Sequence, residues 1–158
     1  MNWHLLCSFL CLMFFLIPAT VTDIKRREIP IVLFAPVILV IAFFHYYYHV
    51  NVWTYVIGGF LFGLLYFLEA AFLTGSGGDI LLAAAIGFTF GVIDGMICMI
   101  VNGILVLGYF AYKKTSTKDI TLKSEFPLAP FLCSSSIITF VLELNHLIPS
   151  IYIGGLKL

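Results

Sequence analysis

An all-α, membrane-embedded bundle of six helices is the fold class this sequence predicts, and three observations predict it. Apolar residues make up 62% of the chain and charged residues 10%, against about 25% charged in a soluble domain, so a water-facing surface cannot be built from this composition. The apolar residues gather in six runs, 3–22, 30–47, 52–73, 79–93, 95–112 and 127–144, most of them near the roughly 20 residues that span a bilayer core. Seven of the eight basic residues, Lys25, Arg26, Arg27, Lys113, Lys114, Lys118 and Lys123, stand in two connecting segments, 23–29 and 113–126, which a six-helix count places on one side.

The first run lacks the basic head of a signal peptide and is too long for its apolar segment, so it is read as a retained transmembrane helix. Cys7 and Cys11 lie four apart on one helix face and, like Cys98 and Cys133, read as small apolar packing residues; no C-x-x-C pair, disulfide framework or zinc site is expected. Pro36 is expected to bend the second helix. In the third and fourth runs, Gly59-x-x-x-Gly63 and Gly87-x-x-x-Gly91 are small-residue patterns that let helices approach closely. The fourth run is short, which suits a helix that begins inside a polar recess. Asp94-Gly95 is read as the turn between the fourth and fifth helices, and the residues after 145 as an interfacial tail. No internal repeat or low-complexity linker appears, so residues 1–158 are expected to form a single domain.

Lys/Arg-rich loops stay cytoplasmic, which puts both basic segments and the loop at 74–78 on the cytoplasmic side and both termini outside. His4, His45, His49 and His146 then fall at or near the outer side and read as interfacial aromatics. A net charge of zero offers no basic stripe for nucleic acid; the surroundings are lipid.

Eight acids remain to be placed. Asp119 and Glu125 sit among lysines and read as solvated. Glu28 stands in the first basic loop and Glu143 near the outer end of the sixth helix. Asp23 ends the first helix and Asp79 starts the fourth, at one depth on the cytoplasmic side, with Glu69 on the cytoplasmic half of the third. Acids at membrane depth face the bundle interior or a wet cavity, because lipid exposure is costly. Two carboxylates that approach closely cannot both ionise: one becomes a base for water and the other stays protonated to polarise a carbonyl. The structural alternative is plain: Asp79 caps the fourth helix and Asp23 pairs with Lys25, Arg26 or Arg27.

Three stretches favour the chemical reading: DIKRREIP at 23–30, GGDILLAAAIG at 77–87 and FPLAPFL at 126–132. In this order they resemble the type IV prepilin peptidases, membrane aspartyl proteases of the GxGD class. The resemblance implies that Asp23 and Asp79 are the catalytic pair, and that Gly77, Gly78, Pro30, Pro127 and Pro130 shape the site. Glu69 and Glu28 are left as candidates for contact with substrate or for lining the cavity. It implies a substrate, the leader of type IV prepilin or pseudopilin-like precursors, cut at the cytoplasmic face of the cell membrane. No cofactor and no metal are implied. Long members carry an N-terminal segment with paired cysteines linked to N-methylation; this chain resembles the short, peptidase-only form, and no methyltransferase activity is expected. It departs from the family pattern at Ser76, Leu81 and Ile31. Three other readings use the same acids: a small transporter or assembly subunit with a proton relay, a protease of the same class acting on another substrate such as a preflagellin or a pseudopilin, and an inactive relative of the peptidases.

Overall fold

The computed structural model describes residues 3–26, 29, 31–72, 77–116, 127–145, 152–153 and 156–157. Among these, five α-helices carry the fold: α1 (Trp3–Arg26), α2 (Phe34–Tyr47), α3 (Val52–Phe72), α4 (Gly77–Ser116) and α5 (Ala129–Leu144). A 3-10 turn, Ile31–Leu33, leads into α2. The tail carries one short antiparallel pair, β1 (Tyr152–Ile153) with β2 (Leu156–Lys157). Three helical spans, Trp3–Arg26, Val52–Ala71 and Gly77–Lys113, are long and apolar enough to cross a membrane. Helices α2 and α5 have 14 and 16 residues; at about 1.5 Å per residue each is shorter than a bilayer core of about 30 Å. Trp53 and Phe60 on α3 are each 72% exposed and Leu107 on α4 is 69% exposed. Large apolar side chains turned outward on this scale suit lipid and not water, and the chain is a membrane protein.

The interior face of α1 repeats at helical spacing: Leu5, Ser8, Phe9, Leu12, Phe15, Leu16, Ala19 and Asp23 are its buried residues. Asp23 therefore continues the inward stripe, because a residue four after Ala19 returns to the same face. The helix runs on to Arg26, past the expected end at 22, so Asp23 lies inside its last turns. Phe9 stacks on Phe140 of α5 with ring centroids 3.9 Å apart, which fastens α1 to α5. On α2, Val37, Ile41 and His45 face inward. Pro36 falls in the first turn of α2, where its missing N–H has no intrahelical partner to lose, so no bend is needed.

Helix α4 is not one rod. Gly91 sits inside it with φ 78° and ψ −163°, a conformation essentially confined to glycine. The contacts made by α3 define what happens there. Gly58 abuts the backbone of Gly87 and Gly91, and the Phe62 ring lies against both Gly87 and Gly95. One turn further along α3, Tyr66 is hydrogen-bonded to Asn102. Successive turns of α3 thus meet residues successively further beyond Gly91, which requires that the chain reverse. Arm one, 77–90, runs antiparallel to α3; arm two, 92–116, returns beside it. The two runs expected at 79–93 and 95–112 are the arms of this hairpin. The turn expected at Asp94-Gly95 lies instead at Gly91, and Gly95 is helical, its missing side chain making room for the Phe62 ring. Gly58 cannot carry a side chain: a Cβ there would lie 2.6 Å from the Gly87 carbonyl oxygen and 2.7 Å from the Gly91 carbonyl carbon, both backbone atoms.

The reversal leaves carbonyls at the end of arm one without intrahelical donors. His45 supplies one: its Nε2–H donates to the Phe88 carbonyl at 3.0 Å. This corrects the reading of His45 as an interfacial aromatic, since it is fully buried and stacks on Tyr55 at 3.9 Å. His4 Nε2 is in turn hydrogen-bonded to the Tyr55 hydroxyl at 3.2 Å. Beside them is a cavity of about 20 Å³ lined by Thr54, Tyr55, Gly91, Asp94 and Glu143 among others, room for about one water. It lies at the end of the bundle opposite Asp23.

Candidate active site

The inner stripe of α1 delivers Asp23 to the start of α5. Ala129 opens that helix, and its N–H donates to Asp23 Oδ2 at 3.0 Å. The local sequence explains why a side chain from another helix does this. Leu128 at the N-cap position makes no side-chain capping bond, and a proline stands in the first turn. Pro130 has no N–H to satisfy and fixes a helical φ. Asp23 thereby serves a first-turn donor that α5 cannot serve itself. Asp23 is 8% exposed, and its carboxylate meets the start of α5. Pro127 and Pro130 are both half-buried at this junction.

Asp79 enters from the other side. Helix α4 begins at Gly77, so Asp79 is its third residue, within the first turn and not at the cap position. A carboxylate there sits favourably at the positive end of the helix. Asp79 is partly buried. Glu69 and Tyr66 on α3 are within electrostatic reach of it, and Glu69 itself is exposed.

The two acidic stretches are joined by a glycine. A Cβ on Gly78 would meet the side chain of Ile29, with Ile29 Cβ 2.7 Å away. A side chain on the residue before Asp79 would therefore force Ile29 to shift. Gly77 is different: among the described residues, a Cβ on it meets nothing within 4 Å.

Asp23, Ile29, Gly78, Asp79, Glu69, Pro127 and Pro130 thus gather at one end of the bundle. Pro30, Glu28 and Ser76 lie outside the described residues. Among the described residues, no group of three or more His, Cys, Asp or Glu side chains is placed to hold a metal ion.

One pair at this end escaped sequence reasoning. Asn102 is 5% exposed, and its Nδ2 donates to the Tyr66 hydroxyl at 3.0 Å. The signal was present: an amide in the middle of an apolar run needs an internal partner. The sequence did not name the partner, on another helix 36 residues away. Cys98, also buried, contacts Ser135 and Ser136 Oγ at 3.4 and 3.6 Å and ties arm two to α5.

Fold and site together define a helical membrane protein with two carboxylates held at one end of its bundle, each at a helix N-terminus. The chain belongs to the type IV leader peptidase family, whose model matches residues 10–111. The match takes in Asp23, Ile29, Gly78 and Asp79 and stops before Pro127 and Pro130. No curated protein and no solved structure matches the chain.

Proposed function

We propose that the chain is an aspartic-type endopeptidase that removes the leader of type IV prepilin or pseudopilin-like precursors, with Asp23 and Asp79 as its catalytic pair. The observation that carries this reading is the family match across both aspartates, which stand at the same end of the bundle. The packing of Ile29 on Gly78 supports it, because it couples the segment after Asp23 to the residue before Asp79.

In this mechanism the two carboxylates share one proton. The ionised partner takes a proton from water as the water oxygen attacks the scissile carbonyl. The protonated partner donates to the carbonyl oxygen, which becomes a hydroxyl. The tetrahedral intermediate then collapses: that proton returns, the C–N bond breaks, and the leaving amine takes up the proton abstracted from water. The pair titrates as one unit. The Ala129 N–H keeps one oxygen of Asp23 fixed, and the mechanism assigns the other to water or the scissile carbonyl.

The chain is one membrane-embedded domain of six helical segments, α1, α2, α3, the two arms of α4, and α5, of which α2, α5 and arm one are too short to reach across a bilayer core by themselves. The acidic end faces the cytoplasm. The basic residues support that orientation, since Lys25 and Arg26 close α1 at this end and Lys113 lies near the end of arm two, in keeping with the positive-inside rule.

Co-expression with a prepilin tests the mechanism. Asp23→Ala and Asp79→Ala are each expected to abolish processing, scored by the mobility shift of the pilin on a gel. Full processing by either variant overturns the aspartic mechanism.

A further inference from the structure

Asn102 poses a problem that the fold alone does not solve. Its Nδ2 is bonded to Tyr66, yet its Oδ1 is buried with no hydrogen-bond partner among the described residues. A buried amide with one end unused is a poor way to stabilise a helix seam, where an apolar residue of similar shape costs less. The bond has a directional consequence, however. Having accepted the Asn102 hydrogen, the Tyr66 oxygen aims its own O–H elsewhere.

Three groups lie within electrostatic reach of that hydroxyl: Glu69, Asp79 and Cys98. Cys98 is engaged by Ser135 and Ser136 on α5. Glu69 is exposed on the same helix as Tyr66, whereas the bond to Asn102 draws the hydroxyl into the seam between α3 and α4. The register of that seam favours Asp79. Gly59 faces Phe88 and Ala84, and Gly63 faces Ala84. In this antiparallel pairing, one further turn of α3 carries Tyr66 toward the first turns of arm one, where Asp79 stands.

We propose that Tyr66 is a positioning residue: its hydroxyl, oriented by Asn102, donates a hydrogen bond to the Asp79 carboxylate and holds that acid for the reaction. This rests on the aspartic-peptidase reading above, but it can fail separately. A donor on a carboxylate favours the charged form, so removing it lets Asp79 keep its proton to higher pH.

The experiment labels the full-length protein in liposomes with a hydrophobic carbodiimide, which reacts with protonated carboxyl groups. Mass spectrometry then reads Asp79 and Glu69 separately as a function of pH. In Tyr66→Phe the pH of half-labelling of Asp79 is expected to rise by about one unit. Asn102→Leu, which frees the hydroxyl to rotate, is expected to raise it by less. Prepilin processing by Tyr66→Phe is expected to show kcat lowered about tenfold, KM unchanged, and the acidic limb of its pH profile displaced upward. An unchanged Asp79 labelling curve in Tyr66→Phe, or a shift confined to Glu69, overturns the proposal. If Tyr66→Phe does not fold, the Asn102→Leu curve decides in the same way. Labelling needs no peptidase turnover, so an Asp79→Ala variant that still processes prepilin defeats the aspartic mechanism without touching this result.

Discussion

The two ends of the bundle use one device with opposite polarity. At one end Asp23 of α1 accepts the first-turn N–H of α5 across 106 residues of sequence. At the other, His45 of α2 donates to a last-turn carbonyl of arm one across 43. Each satisfies a backbone group that its own helix leaves unpaired. The surroundings differ. His45 is fully buried, stacked on Tyr55, and its neighbour His4 is bonded to that same tyrosine. Asp23 retains some exposure and shares its end of the bundle with a second carboxylate, Asp79, and an exposed Glu69. A hydrogen bond of one type is thus a closed structural joint at one end and, in the mechanism proposed above, a way to aim a reactive group at the other. Capping geometry does not separate structural from chemical carboxylates; the company of a second acid does.

The comparison breaks most visibly at His45. His45→Ala removes a buried donor and the ring that fills its site, at an expected cost of about 2–4 kcal/mol. His45→Phe keeps most of the ring and leaves only the Phe88 carbonyl unserved, at about 1–3 kcal/mol. Thermal unfolding in detergent measures both. Whatever fraction of either variant stays folded is expected to process prepilin with unchanged kcat. A fall in kcat without loss of stability would mean that this end is not merely structural.

The acidic end should give the inverse pattern, with a smaller effect on stability. Asp23→Ala loses the cap on α5 and is expected to lower stability by about 1 kcal/mol. Asp79→Ala is expected to change it by less, since Asp79 lies inside its own first turn and its gain from the helix dipole is about 0.3–1 kcal/mol. The proposed mechanism has both variants inactive. Equal melting curves for the two would contradict the trans-cap assigned to Asp23.

Much of this was legible in sequence, for reasons that can be located. The apolar runs carry the helices, because a bilayer interior leaves the backbone little alternative. Asp23 and Asp79 could be placed at one depth because the number of helices between them sets the side. The inward face of Asp23 follows from its spacing with Leu12, Leu16 and Ala19. The reversal was misplaced by a few residues. Asp94-Gly95 has good local turn chemistry, but the contacts of Gly58 and Phe62 with α4 decide the matter, and those belong to tertiary packing. Both trans-caps were beyond reach for the same reason: neither His45 with Phe88 nor Asp23 with Ala129 has a local signature. The Tyr66–Asn102 pair was half legible, as an amide needing a partner that the sequence does not identify.

The finest test of the acidic end is the contact between its two acidic stretches. Gly78→Ala places a methyl group against Ile29, whose Cβ would lie 2.7 Å away. A branched side chain can yield only by shifting its backbone or leaving its rotamer, which costs about 0.5–1.5 kcal/mol. Ile29 lies six residues after Asp23 and Gly78 precedes Asp79, so the strain falls between the two acids and little elsewhere. Processing is expected to drop several-fold, with a melting temperature close to that of the parent. Ile29→Ala removes the obstacle, and the double variant is expected to regain most of the lost activity, a coupling that a double-mutant cycle measures directly. Additive losses would mean that the two stretches do not act through this contact. The glycine before Asp79 would then serve an approaching chain, which a backbone without a side chain lets come close.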